Sequence, residues 1–145
     1  MDEETAAKYI SPASMAYAAN ITAMLNAPYF RDNGMEPVLI SQERVRVRMP
    51  VKGRDRNSNG FWHGGAICGV MDHCFAIITN IDGHAVGQST YVQYYRPGRG
   101  DVIEAESTVM NRTRSIITVN VKAFDGGKTV AEGTFTAFRL QDVHG

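Results

Sequence analysis

One run of residues constrains the fold more than any other. Positions 63–80 read HGGAICGVMDHCFAIITN. The run has no proline and little alternation of polar with apolar residues, so it suits a helix of four or five turns better than a strand. It is apolar nearly all the way round, and such a helix needs protein on every side. It cannot instead cross a membrane, because Asp72 and His73 break it and it is shorter than the roughly 20 residues a span requires. The Gly64-Gly65 pair opens it, and Asn80 and Gly83 supply its stop. Whatever this chain folds into must wrap something around residues 63–80.

The rest of the chain supplies the wrapping. Four strand-like runs follow, at about 88–96, 102–111, 115–124 and 129–138. Their separators, RPGRGD, NRTR and DGGK, are turn-like, and such short links favour antiparallel hairpins over parallel crossovers. Before the helix, residues 38–51 read as one strand. Val45, Val47 and Met49 alternate there with Arg44, Arg46 and Arg48, giving one buried and one wet face. The N-terminal stretch, about 3–30, is rich in Ala, Met and Tyr and reads as helical. Ser11-Pro12 interrupts it, because a residue before proline disfavours helical geometry while proline itself can open a new helix. Gly34 ends the region. We expect an α+β fold: one curved antiparallel sheet around a long apolar helix, with an extra N-terminal helical segment. Residues 1–145 make a single domain with its core at about 36–139, since 145 residues are too few for two comfortable domains.

Composition narrows the partners. The formal net charge is zero, which argues against nucleic acid or an anionic membrane as the main partner. The acidic start, MDEETAAKY, lacks the basic and apolar regions of a secretory signal, so the expected location is cytoplasmic. Cys68 and Cys74, on one helix, stand about 9 Å apart along its axis and cannot form a disulfide. His73, Asp82, His84 and His144 match no metal-ligand spacing, so no metal is expected.

Two features carry chemistry. An aspartate in an otherwise apolar helix is costly to bury without a partner. Asp72 is either a structural carboxylate, capping a backbone group or paired with His73, or a general base or nucleophile tuned by apolar surroundings. The Gly64-Gly65 pair either makes a tight turn or lets a substrate approach the free N–H groups at the positive end of the helix dipole. There a carbonyl oxygen gaining negative charge is stabilised. Eight residues separate Gly64 from Asp72 and nine separate His63 from Asp72, and at about 100° per residue His63 and Asp72 face opposite ways. One subunit cannot bring both to one carbonyl. Two antiparallel copies of the helix can, which makes the expected active unit a dimer with two composite sites.

Asn57, His63-Gly64-Gly65 and Asp72 resemble the signature of hotdog-fold acyl-CoA thioesterases of the PaaI-like type: Asn or Gln six residues before HGG, and Asp or Glu nine after its histidine. Tyr94-Tyr-Arg-Pro97 is similar to that family's Y-x-R-P strand end. Asn111-Arg-Thr-Arg114 is similar to its R-x-G-R turn, with Thr113 where glycine is common. The resemblance covers about residues 40–139. It implies a hotdog fold, a homodimer or dimer of dimers, acyl-CoA as substrate and no cofactor. It also implies roles. Asp72 acts as base on water or as nucleophile, the Gly64 N–H of the facing subunit polarises the carbonyl, Asn57 positions water or the carboxylate, and His63 orients the loop. The family's usual Ser or Thr falls here on Gly87, so either Ser89 or Thr90 serves through a shifted register or the group is missing.

Arg96, Arg99, Arg112 and Arg114 lie at strand ends and turns where members of that family bind CoA phosphates. They are either phosphate forks or ordinary solvated charges. Gly65, Phe61 and Trp62 flank the helix start, and the two aromatic rings either wall a substrate pocket or pack against a strand. The functional expectation is hydrolysis of an acyl- or aryl-acyl-CoA thioester. Its rival is a non-catalytic acyl-CoA-binding hotdog module.

Overall fold

A computed structural model describes residues 1–140. The N-terminal segment is a chain of short helical turns: α1 (Glu3–Ala6), two 3-10 turns (Ala7–Tyr9 and Pro12–Tyr17), α2 (Ala18–Leu25) and α3 (Pro28–Asp32). Ser11 is extended, with φ −63° and ψ 149°, and Pro12 opens the next turn, as the steric clash before proline dictates. α2 turns Ile21, Thr22 and Leu25 inward. Gly34 leaves α3 at φ +67°, a conformation that costs glycine little.

Six antiparallel strands then form one sheet. They are β1 (Glu36–Ile40), β2 (Arg44–Pro50), β3 (Ala85–Tyr94), β4 (Val102–Arg112), β5 (Ile116–Asp125) and β6 (Lys128–Arg139), in the spatial order β1-β2-β4-β5-β6-β3. The single strand expected over 38–51 is in fact the hairpin β1–β2. Ser41 makes the turn: its hydroxyl accepts from the Arg44 N–H at 3.0 Å and donates to the Arg44 carbonyl at 2.9 Å. The other strands fall within three residues of expectation. The β5–β6 turn uses Gly126 and Gly127 at φ +56° and +87°, the two positive angles of a tight hairpin.

The buried helix is α4 (Gly64–Thr79), which packs mainly on β2, β4 and β5. Ile67, Val70, Met71, Cys74 and Ile78 are buried under the sheet. They meet Val45, Val47, Ile103, Val119 and Val121, the inward members of alternating strands. The Ser107 hydroxyl of β4 donates to the Cys74 carbonyl at 3.1 Å, fixing the helix on the sheet. The curved sheet around an apolar helix is the hotdog arrangement.

Two surfaces are left uncovered. β3 is an edge strand of 10 residues, exposed along most of its length on both faces. The outer side of α4 is also open: Gly65 and Asp72 are exposed, and Ala66, Cys68, Gly69 and Ala76 are half-buried. No helix among the described residues is long and apolar enough to cross a membrane.

Candidate active site

The site is organised at the start of α4. An arch over residues 51–63 delivers the chain to it. Buried Asp55 accepts from the Lys52 N–H at 2.8 Å, and its carbonyl accepts from the His63 N–H. Asn57 turns the arch by accepting from the N–H groups of Asn59 and Phe61 with its side-chain oxygen, at 2.9 and 3.1 Å. That leaves the Asn57 amide NH₂ as the outward-facing donor. Arg56 staples the arch to the β3–β4 loop, donating to the carbonyls of Gly60, Arg99 and Gly100.

His63 is the N-cap. Its Nδ1 accepts from the Gly65 N–H at 2.9 Å, and its carbonyl accepts from Ala66 and Ile67. Three of the four free donors at the helix start are thereby satisfied. Among the described residues, the Gly64 N–H has no acceptor. The one unfilled donor at the positive end of the helix is the group expected to hold an oxyanion.

Gly64 opens into a cavity of about 360 Å³ that Asn57, Phe61, Tyr94 and Arg96 also line. Tyr94 is a site residue that the sequence marked only through its strand-end motif. Its hydroxyl lies 2.9 Å from the Cys68 thiol and donates to the Gly64 carbonyl at 3.4 Å. Burial and the adjoining thiol push its pKa up to about 12, so the hydroxyl keeps its proton.

The two aromatic candidates separate. Trp62 is 3 % exposed, its indole N–H donates to the Gly100 carbonyl at 2.8 Å, and its ring lies flat against Gly98. It packs the loop, although its edge reaches the cavity. Phe61 is more open, and the Arg99 guanidinium lies 4.8 Å from its ring centroid. The arginines separate too. Arg96 and Arg99 flank a second hollow of about 260 Å³ together with Lys128, a cation that sequence reasoning missed. Asp125 in that hollow is occupied by the Arg99 and Gly100 N–H groups. Arg112 lies at the far end of β4, about 33 Å away along the strand, with Arg114 just beyond it. Arg112 is held by Asp82 and the Gln42 carbonyl.

Register also sorts Ser89 from Thr90. A bulge at Gln88 shifts β3 by one residue against β6. Ser89 pairs with Thr136 on the outer face and contacts its hydroxyl. Gly87 and Thr90 pair with buried Ala137 and Phe135, so both face the helix side.

Asp72 stands two turns beyond Gly64, about 12 Å along the axis. Among the described residues it makes no hydrogen bond or ion pair. His73 does not pair with it: that ring stacks against Tyr29 and Phe30, at centroid distances of 6.2 and 5.0 Å. Crowding around the Asp72 carboxyl raises its pKa above the ordinary carboxylate value, and His73 opposes the shift only in part. The arrangement therefore offers an unpaired carboxylate with a raised pKa and an unfilled backbone donor, held apart on one helix.

A family model described as the thioesterase superfamily matches residues 59–132, the span from the arch to β6. A Deinococcus radiodurans protein named "Putative esterase" is 31 % identical over 101 residues, covering 68 % of this chain and 69 % of its own length. Among solved structures, a mutant of the phenylacetic acid degradation protein PaaI from Thermus thermophilus is 30 % identical. It covers 78 % of this chain and 99 % of its own, with a TM-score of 0.75. A Streptococcus mutans protein bound to acetyl-CoA is 25 % identical over 74 % of this chain and 90 % of its own, with a TM-score of 0.70.

Proposed function

The chain belongs to the thioesterase superfamily, and from that membership we propose that it is an acyl-CoA thioesterase whose active unit is a homodimer with Asp72 as the catalytic carboxylate. The observation that carries this reading is Asp72 itself, the one charged group on the open face of α4, unpaired and with its pKa raised by burial. Such a group on a face of Gly65, Cys68 and Ala76 suits close approach of a second helix and work on a bound carbonyl.

In the dimer, α4 packs antiparallel to its copy across the open β3 edge. Asp72 of one subunit then faces Gly64 of the other. The thioester carbonyl oxygen accepts from the Gly64 N–H, and the helix dipole favours charge arriving there. Asp72 either takes a proton from water as the water oxygen bonds to the carbonyl carbon, or attacks that carbon itself, in which case the mixed anhydride left after C–S cleavage is hydrolysed by water to release the acid and restore the carboxylate. Collapse of the tetrahedral intermediate breaks the C–S bond and expels CoA thiolate, which then takes up a proton. The Asn57 amide donates to the water or carboxylate. Thr90, on the helix side of β3, is the hydroxyl available where Gly87 has none. Arg96, Arg99 and Lys128 receive the CoA phosphates, and the bound acetyl-CoA of the Streptococcus mutans relative supports that ligand class. Arg112 and Arg114 reach the same ligand only from another copy.

A thiol-release assay over short, medium, long and aromatic acyl-CoAs tests the proposal. Free CoA should appear with wild-type protein and not with Asp72→Asn. Equal turnover by the two proteins contradicts the role of Asp72. Ligand-induced thermal stabilisation without thiol release from any substrate would favour a binding module instead. Single turnover in ¹⁸O-water tests direct attack: label in the Asp72 carboxylate requires a mixed anhydride opened by water at the Asp72 carbon.

A further inference from the structure

Cleaving a thioester loads negative charge on two atoms in turn, first the carbonyl oxygen and then the departing sulfur. The Gly64 N–H is free to hold the first. We propose that the Tyr94 hydroxyl donates the hydrogen bond that holds the second, the CoA thiolate, as the C–S bond breaks. The inference rests on the thioesterase reading and adds the group that receives the leaving sulfur.

Position is the first support. Arg96 and Pro97 line both the cavity at Gly64 and the hollow that Arg99 and Lys128 flank. The two spaces therefore adjoin just past the end of β3. A CoA arm running from one to the other passes Tyr94, which stands two residues before Arg96. A thioester with its oxygen on the Gly64 N–H has its sulfur on the side from which that arm arrives. Tyr94 is close to that point: a Cβ placed on Gly64 would lie 3.8 Å from its hydroxyl oxygen.

Availability is the second. Around the cavity, the Trp62 indole N–H is spent on the Gly100 carbonyl and the Tyr95 hydroxyl on the Glu132 carboxylate, at 3.1 Å. Asn57 and Arg96 serve the water and the phosphates in the proposed dimer. His63 lines a separate hollow with Tyr29 and Arg54, and its Nδ1 is taken by the Gly65 N–H. The Tyr94 hydroxyl is held only loosely. Its 3.4 Å contact with the Gly64 carbonyl is longer than the usual O–H···O range, and the helix ladder already gives that carbonyl the Cys68 N–H. Between Tyr94 and the Cys68 thiol, at 2.9 Å, either group can be the donor. When the S–H donates, the phenolic proton is free to turn to the sulfur of the substrate. Burial above all raises the Tyr94 pKa to about 12, well over the roughly 8.5 of an alkyl thiol. Tyr94 therefore keeps its proton and stabilises the thiolate by a hydrogen bond, and solvent supplies the proton that completes free CoA.

Tyr94→Phe, which removes only the hydroxyl, tests this in two ways. The first reads the thiol pKa of CoA bound to each protein, from its ultraviolet thiolate absorbance against the same protein holding S-methyl-CoA. It needs no turnover. The bound thiol should titrate about one to two units higher on the variant than on wild type, the size of one hydrogen bond to a charged group. The second compares acetyl-CoA with the acetyl thioester of an acidic aryl thiol, whose thiolate leaves without help. The variant should lose roughly 10–100-fold in kcat/KM on acetyl-CoA and cleave the aryl thioester at close to the wild-type rate. A merely structural role would slow both alike. Equal losses on the two thioesters, or the same bound-thiol pKa in the two proteins, overturns the proposal. A bound thiol shifted through Tyr94 in a protein that cleaves neither thioester would support the contact and overturn the thioesterase reading alone.

Discussion

Asp72 links stability to turnover in opposite senses. Its folded carboxyl titrates above the ordinary value of 3.8, so the folded protein holds that proton longer than the unfolded chain does. Stability therefore falls as pH rises from 3.8 through the raised value, and the charged form weighs against folding at neutral pH. Asp72→Asn removes that cost together with the charge to which we assign catalysis. Its melting temperature at pH 7 should equal or exceed that of wild type, and the difference should vanish below about pH 3.8. Its kcat should drop by about 10²–10⁴-fold. A variant several degrees less stable at pH 7 would contradict the sign. In wild type, activity should fall on acidification at a pH above the usual aspartate range. Arg96 makes a different expectation. Arg96→Ala should raise KM for acyl-CoA roughly 10–100-fold with kcat unchanged, the size of a lost charged hydrogen bond. Hydrolysis of the matching acyl-pantetheine, which lacks the nucleotide, should not change. Residues of this kind were legible because a charge or a glycine in an apolar helix stands out in one dimension. Trp62 and Ser89 were not. Which way each side chain turns depends on Gly98 beneath the indole and on the bulge at Gln88, and neither is visible until β3 and β6 are in register.

Elements were read more surely than their ends. Turn-like separators marked the strands from β3 onward nearly complete; β4 to β6 bury one face and wet the other, whereas β3 is exposed on both. The β1–β2 hairpin was missed because its turn is Ser41-Gln42-Glu43, without glycine, proline or asparagine, and its bond is made by a serine side chain. β3 and β6 pair closely at Gly133. A Cβ at Gly133 would run into the Tyr91 carbonyl of β3 and stand 3.1 Å from the Phe135 ring. The obstacle is backbone and cannot swing away. Gly133→Ala should therefore cost about 1–3 kcal/mol in chemical denaturation. Amide exchange should rise first along β3, and equal protection of β3 in variant and wild type would contradict that placement.

At the scale of the whole molecule, the division of the site is the testable claim. Asn57 and Gly64 line one cavity, and in the proposed dimer Asp72 serves the cavity of the facing subunit. Asp72→Asn and Asn57→Ala should each be nearly inactive alone. Mixed by unfolding and refolding together, they should recover about a quarter of wild-type activity: half the dimers are mixed, and each mixed dimer has one intact site. No recovery would place all three residues in one subunit. The sequence pointed to the second copy through helix geometry, by showing that two turns separate groups that must meet, and through the family resemblance. It had no means of showing that β3 would be left as the open edge, since strand order is a property of the folded sheet.

That open edge has a consequence for how the protein responds to its own abundance. If neither site exists until two β3 strands meet, catalysis is second order in chain at the lowest concentrations and first order above them. Activity per molecule would then decline on dilution, with a lag on returning to higher concentration as pairs re-form. Expression level would act as a threshold, leaving sparse chains inert toward the acyl-CoA around them.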